Sequence, residues 1–470
     1  VARYPNQLFK SKELERRMSL RTKEEHLAFK HSLRSLIDAG KINRVHGGRY
    51  GHFELPQSVA GLFKMTKQGF GTVAVEGQED VISISPRDRG MAVHGDTVEV
   101  SLFAQSSKRI ENGQPREGEV VKILKRGRVD LVGTLDRSKN FYIVIPDDRK
   151  IARDVFVAAE HLNKAKPGDK VVVQIDSWGV GHLNPEGRVV EVLGRAGEVT
   201  AELQSVIREF RLPLHFPAEV MKETNELPDA IPASEYSRRL DLRKEVCLTI
   251  DPEDAKDFDD AVSLTELPDG DFRLGVHIAD VSYYVTEGSQ VDQDALKRGT
   301  SVYFPNMVIP MIPERLSNIL CSLRPDEDRL TFSVLMTVTP KGIVTAYEIR
   351  ETVIRSARRF SYEEVESLLD ESSEEHAATN VDSKMVDTLR TMQKLSVLLT
   401  KKRMKEGSID FETAEAKFTF DENGSPSEIR RKARLRSHRL VEEFMLLANQ
   451  VVAQHIGLAK KEDHRRPFLY

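Results

Sequence analysis

Residues 249–264 read TIDPEDAKDFDDAVSL. Five aspartates, Asp251, Asp254, Asp257, Asp259 and Asp260, fall within ten positions. Val246, Leu248 and Ile250 alternate before them, and Ala261, Val262 and Leu264 follow. Alternation on one side and a short apolar run on the other predict two strands. The acids then sit at a strand end and in the adjoining loop. Clustered carboxylates repel one another and resist desolvation, so this placement costs stability. A bound divalent cation is the simplest compensation. Oxygen-only ligands suit Mg²⁺ or Mn²⁺ rather than zinc, and such ions commonly serve phosphoryl transfer. An EF-hand needs Gly at its sixth loop position and Glu at its twelfth. Counted from Asp251 these are Lys256 and Val262, so a calcium loop is excluded.

The run I-D-x-x-x-A-x-D-F-D-D-A resembles the signature of the RNB family, which holds the ribonuclease II and ribonuclease R exoribonucleases. Carried over by position, the resemblance assigns the catalytic and metal-holding role to Asp251, Asp257, Asp259 and Asp260. Asp254 fills a variable slot. Further landmarks are HIADVSYYV (277–285), RGTSVYFPNMVIPMIPERLSNILCSLRPDEDRL (298–330), GSIDFE (407–412) and HRLVEEFMLLANQVVA (438–453). The resemblance places Tyr303 near the 3′-terminal nucleotide, where it stacks; a packed strand end is the alternative. It gives Phe411 the part of a second aromatic clamp. Glu442 and Glu443 lie on an apolar helical stretch, where an inward carboxylate is expensive unless used. One of them is expected to hydrogen-bond RNA and the other to lie at the surface. His277 and Asp280 read as structural.

The chain's 470 residues predict three or four domains. The fold expected is multidomain α+β: a winged-helix-like unit (1–57), two cold-shock-type OB barrels (58–110 and 114–195), a linker (196–241) and the N-terminal part of an α/β RNB domain (242–470). In the first unit Leu27, Leu33, Leu36 and Ile37 approximate a helical stripe over 23–39. Thr22 and Glu25 form a capping box, Gly40 stops the helix, and a hairpin turns at Gly47–Gly48. A small helical cap is the alternative to a winged helix. Residues 60–195 hold a weak internal repeat, each copy ending in a Gly-Asp turn, Gly95-Asp96 and Gly168-Asp169. Phe70, Phe141 and Tyr142 are candidates to stack on bases, or else barrel core. Residues 122–128, KILKRGR, suit phosphate contact or a solvated edge.

Charge is high at 31% but nearly balanced, with net −4. Basic groups around 355–359, 401–405 and 430–439 predict a cationic channel for single-stranded RNA. Cys247 and Cys321, both in apolar surroundings, fit a reducing cytoplasm. No membrane-spanning run or signal peptide is present. The chain opens with Val1 and stops in RRPFLY, so it is expected to be a piece of a longer protein and a slow enzyme alone.

The resemblance implies a Mg²⁺-dependent, or Mn²⁺-dependent, 3′–5′ exoribonuclease that releases nucleoside 5′-monophosphates processively. Its partners would be single-stranded or 3′-overhang RNA, with the ribosome or RNA-decay factors beyond that, and no membrane. The alternatives are a catalytically silent RNB-type regulator and a cold-shock-type RNA-binding protein. The first would be expected to lack one of the four acids, and all four stand here. The second leaves TIDPEDAKDFDDA unexplained.

Overall fold

The computed structural model describes residues 9–458 apart from 40, 46–48, 52–57, 67–69, 78–80, 104–114, 139–140, 152, 180–183, 371–380, 411–414, 422–425 and 432. The chain divides into two units, Val1–Leu212 and Pro213–Tyr470.

The first unit begins with helices Ser11–Arg17 and Lys23–Asp38. The expected capping box is present. Thr22 Oγ1 accepts the Glu25 N–H at 3.2 Å, and the Glu25 carboxylate accepts the Thr22 N–H at 2.8 Å. The buried stripe differs from the expected one. Phe29 and Leu33 are buried and Ile37 packs beside them, whereas Leu27 and Leu36 are exposed. Positions 29, 33 and 37 share one helix face at four-residue spacing; 27 lies on the opposite side, and 36 lies at the edge of that face beyond 29. Short strands Phe9–Lys10, Arg49–Gly51 and Asn43–Val45 form a sheet with Arg49–Gly51 in the middle. Gly40 and Gly47–Gly48 lie outside the described residues.

Two closed five-stranded barrels follow. The first uses Ser58–Met65, Gly71–Ala74, Val81–Ile84, Thr97–Leu102 and Arg116–Lys125. The second uses Asp130–Ser138, Phe141–Pro146, Val155–Val157, Asp169–Ser177 and Glu186–Arg195. In both, the third and fifth strands pair parallel and the fourth closes onto the first. The internal repeat is thus a repeated topology. Its Gly-Asp turns match atom for atom. Gly95 and Gly168 have φ of +93° and +91°, a conformation costly for other residues. Their N–H groups donate to Phe63 O at 2.9 Å and Leu135 O at 2.7 Å.

Two expected boundaries are corrected. Arg116–Lys125 closes the first barrel by pairing with Thr97–Leu102, so the division lies between 125 and 130, not at 110–114. The basic run 122–128 follows suit. Lys122 and Lys125 belong to that strand, Arg126 binds Asp96 at 2.6 Å beneath Trp178, and Arg128 binds Glu209 at 2.9 Å. The stretch 196–241 is not a linker. Helix Val199–Glu209 packs on the second barrel, and Val220 and Leu227 join a core of the second unit.

The second unit is built on a sheet ordered Leu240–Asp241, Val344–Ser361, Cys247–Asp251, Asp260–Glu266, Phe272–Ala279, Asp328–Val338. The 18-residue strand Val344–Ser361 pairs antiparallel with Asp328–Val338 through its first part and parallel with Cys247–Asp251 through its last. The sheet therefore curls back on itself. Leu248, Ile250, Val262 and Leu274 face a core shared with helices Tyr362–Leu369, Ser383–Lys405 and Arg436–Gly457. Cys247, Ala261, Ala279 and Leu335 face a second core with Leu316, Leu320 and Leu323. Both cysteines are buried and unpaired. Among the described residues no helix is long and apolar enough to cross a membrane.

Candidate active site

The two predicted strands flanking the acids are Cys247–Asp251 and Asp260–Glu266. Loop 252–259 leaves the first strand at its C-terminal end and returns at Asp260. Fixed partners hold it from two sides. The Phe258 N–H donates to Ser322 Oγ at 3.1 Å, that hydroxyl donates to Lys256 O at 2.9 Å, and the Leu323 N–H donates to Phe258 O at 2.9 Å. The Ala279 N–H donates to Asp259 O at 2.9 Å. The Phe258 ring packs against the second core, so Asp257 and Asp259 flank an anchored residue.

The carboxylates pay electrostatically for this placement. Asp251 is only 7% exposed, and burial pushes its carboxyl up to about 7, with a side-chain hydrogen bond from Thr249 and the Arg359 charge pulling the other way and Asp260 and Asp259 adding repulsion. Burial first, then the Asp259 charge, raises Asp260 to about 6. Asp259 is raised as well, by partial desolvation and then Asp257. Asp251 Oδ2 is buried and meets no hydrogen-bond donor. An acceptor left bare within electrostatic reach of Asp259 and Asp260 fits a hard divalent cation better than it fits a solvated turn. Among the described residues, no three His, Cys, Asp or Glu side chains are already gathered closely enough to hold a metal ion. Carboxylates without a counter-charge repel, and the donor chemistry still fits Mg²⁺ or Mn²⁺.

Tyr303 lies at the mouth of this site. It is 70% exposed, in the short hairpin strand Val302–Tyr303. Partial desolvation and then Asp257 and Asp259 raise its phenol, so the ring stands within electrostatic reach of the acids. Two neighbours gave no signal in the motif reading. Tyr362 follows the long strand, and its phenol is pushed up to about 12 by burial, then by Asp260 and Asp251. Arg359 donates to Pro252 O at 2.5 Å and Glu253 O at 2.7 Å. Both come from a segment about a hundred residues downstream, which only the parallel strand pairing brings to the acids.

The other site residues are spread more widely. Glu443 is 4% exposed, and Arg403 satisfies it at 2.6 and 3.1 Å. Glu442 accepts from Arg434 at 2.7 Å. The inward carboxylate therefore already has an internal use. The basic sets are likewise largely ion-paired. Arg355 binds Asp328, Arg358 binds Glu364, Arg436 binds Glu366, and Arg439 and Arg434 share Asp410. Part of the expected cationic channel is thus engaged within the chain, by side chains that remain partly exposed, such as Arg355, Arg436 and Arg439. On the barrels, Phe70 and Phe141 are 52% and 44% exposed, outside the cores, while Tyr142 packs against the core of the second barrel. Phe411 lies outside the described residues. His277 is buried between Ser263 Oγ at 3.0 Å and Ser333 Oγ at 2.8 Å. Asp280 caps helix Val281–Tyr284 and pairs with buried Arg239 at 2.7 Å.

Residues 61–123 match the Ribonuclease B OB domain, residues 143–217 the cold shock domain and residues 239–469 the RNB domain. Ribonuclease R of Thermotoga maritima is 39% identical over 465 residues, which cover 98% of this chain and 63% of that protein. Ribonuclease R of Aquifex aeolicus is 38% identical over 434 residues, 92% of this chain and 60% of that protein. The solved structure of Mycoplasma genitalium RNase R in complex with ribose methylated single-stranded RNA matches with a TM-score of 0.74 at 26% identity, over 86% of this chain and 62% of that one. The chain thus spans 60–63% of the length of these relatives. With its acid-bearing sheet preceded by two OB-type barrels, and with these matches along nearly its whole length, the chain belongs to the RNB family.

Proposed function

We propose that the chain carries the active centre of a metal-dependent 3′–5′ exoribonuclease that degrades single-stranded or 3′-overhang RNA processively to nucleoside 5′-monophosphates, in RNA decay and processing. One observation carries this reading. Asp251 Oδ2 is buried without a donor, within electrostatic reach of Asp259 and Asp260, and exposed Tyr303 stands within reach of Asp257 and Asp259. Its Mycoplasma relative was solved with single-stranded RNA, which supports the substrate class.

Asp251, Asp257, Asp259 and Asp260 would hold the cation, Mg²⁺ in the first instance and Mn²⁺ as a substitute. When bound, it supplies activation of water and neutralisation of charge at the scissile phosphate. The chain's own groups do the rest. Tyr303 offers an open ring face to the terminal base. Phe70 and Phe141, with Tyr142 behind, offer stacking surfaces to bases further back, each worth about 1–3 kcal/mol and tolerant of sequence. Phe411 would add the far clamp. Glu442, the more exposed of its pair, would reach a ribose by leaving Arg434, and Glu443 holds Arg403. The N-terminal helices and small sheet serve as a winged-helix-like nucleic-acid contact. Buried free thiols suit the cytoplasm. In domain terms we assign 1–57 to the N-terminal unit and 242–470 to the catalytic part, with the barrels divided as the strands divide.

The test is incubation of excess chain with body-labelled single-stranded RNA and Mn²⁺. Mononucleotide release, slow or fast, that stops in Asp260→Asn supports the enzyme. A mobility shift with no product supports a silent RNB regulator or an RNA-binding protein.

A further inference from the structure

We propose that Arg359 is a positioning residue that grips both ends of the acid-bearing loop and sets the affinity of the aspartates for a divalent cation. The inference rests on the reading that Asp251, Asp257, Asp259 and Asp260 hold that ion. Strands Cys247–Asp251 and Val344–Ser361 run parallel with Thr249 opposite Arg359 and Asp251 opposite Ser361. Arg359 therefore stands beside the strand from which the loop departs. Its Nη2 donates to the carbonyls of Pro252 and Glu253, the first two residues after Asp251. Its guanidinium also lies 5.6 Å from the centroid of Phe258, the residue between Asp257 and Asp259. One side chain thus touches the loop where it leaves the strand and where it carries its two central acids.

Two buried polar atoms on these adjoining strands have no hydrogen-bond partner: Asp251 Oδ2 and Arg359 Nε. Elsewhere the sheet satisfies its buried polar groups, as the row through His277 does. The guanidinium is also the cation facing Asp251. Its neighbour Arg358 is engaged with Glu364 at 2.6 Å and lies over Phe360. Arg359 is thereby suited to offset part of the carboxylate repulsion before an ion arrives, and to fix the direction in which the loop leaves the strand. Lysine keeps the charge but has no planar face for Phe258.

The experiment compares Mn²⁺ binding, read by the loss of the free-ion paramagnetic resonance signal, for the 470-residue chain, Arg359→Met, Arg359→Lys and Asp260→Asn. RNA affinity in chelator and the thermal midpoint in chelator are measured alongside. Arg359→Met should weaken Mn²⁺ binding by about 10–100-fold, the range for partners that orient metal ligands. Arg359→Lys should recover part of that loss, with RNA affinity in chelator unchanged in both. Should Arg359→Met fail to fold, Arg359→Lys alone decides, and it should still bind Mn²⁺ more weakly than the parent. If the Arg359 variants bind Mn²⁺ like the parent while Asp260→Asn does not, the role of Arg359 is overturned and the metal reading stands. If Asp260→Asn also binds like the parent, the metal reading falls and this inference with it.

Discussion

One sheet in this protein buries polar groups in two places and treats them in opposite ways. Near its middle, Ser263, His277, Ser333, Thr352 and Thr331 form a continuous hydrogen-bonded row, with links of 3.0, 2.8, 2.6 and 2.5 Å. The row is fitted closely enough that a Cβ on Gly275 would meet Ser263 Oγ at 2.4 Å. At the sheet end, Asp251 Oδ2 and Arg359 Nε are buried and unsatisfied. Burial alone therefore does not distinguish structure from function here. A satisfied polar row specifies the fold. An unsatisfied one, carrying like charges, is a cost that something outside the chain must offset.

The comparison breaks most visibly at the acids. Asp260→Asn should lower RNA turnover by orders of magnitude while RNA binding persists, as measured by single-turnover product release and fluorescence anisotropy. Turnover within threefold of the parent would remove Asp260 from the site. At the other place the expected loss is stability. His277→Ala strands the Ser263 and Ser333 hydroxyls, at about 1–3 kcal/mol for each group left unpaired. Denaturant unfolding should show that loss with Mn²⁺ affinity unchanged; a stable variant would mean the row is dispensable.

The two places also respond to pH with opposite signs in chelator. Asp251 and Asp260 are raised from 3.8 to about 7 and about 6, so their contribution to stability is full below about 4 and is lost as pH rises through 6 and 7. His277 is lowered from 6.5 to about 4 by burial, so its contribution is present above 6.5 and is lost as pH falls through 4. Thermal midpoints between pH 4 and 8 should show Asp251→Asn removing stability loss on the alkaline side. Asn at 277 should remove the acid-side loss. Identical slopes in both variants would dissolve the contrast.

The smallest effect concerns the exposed aromatics. Tyr303→Ala should leave long-RNA binding nearly intact and change the size of the shortest end product. An unchanged product ladder would return Tyr303 to a packing role. Phe141→Ala should cost about 1–3 kcal/mol of RNA affinity if the ring stacks on a base.

Much of this arrangement was legible in the sequence because its signals are local. The Thr22–Glu25 box, the paired Gly-Asp turns and the two strands flanking the acids each follow from a few adjacent residues. What was not legible depends on contacts between distant segments. Residues 116–125 read as the start of the second barrel until the pairing with Thr97–Leu102 makes Arg116–Lys125 the closing strand of the first. The expected cationic channel is partly neutralised because Asp328, Glu364, Glu366 and Asp410 stand opposite four of its arginines, a partnering that residue spacing does not encode. Arg359 looked like one member of a basic set, and the parallel pairing with Cys247–Asp251 is what carries it to the acid loop.

The central claim is that Asp251, Asp257, Asp259 and Asp260 together hold a divalent cation. Anomalous scattering from crystals of the chain grown with Mn²⁺ tests it most directly. The account predicts a strong peak ligated by these carboxylates, Asp251 Oδ2 among the ligands, and absent in Asp260→Asn crystals. A map with no peak at the acid loop, or with peaks only elsewhere on the chain, would contradict it.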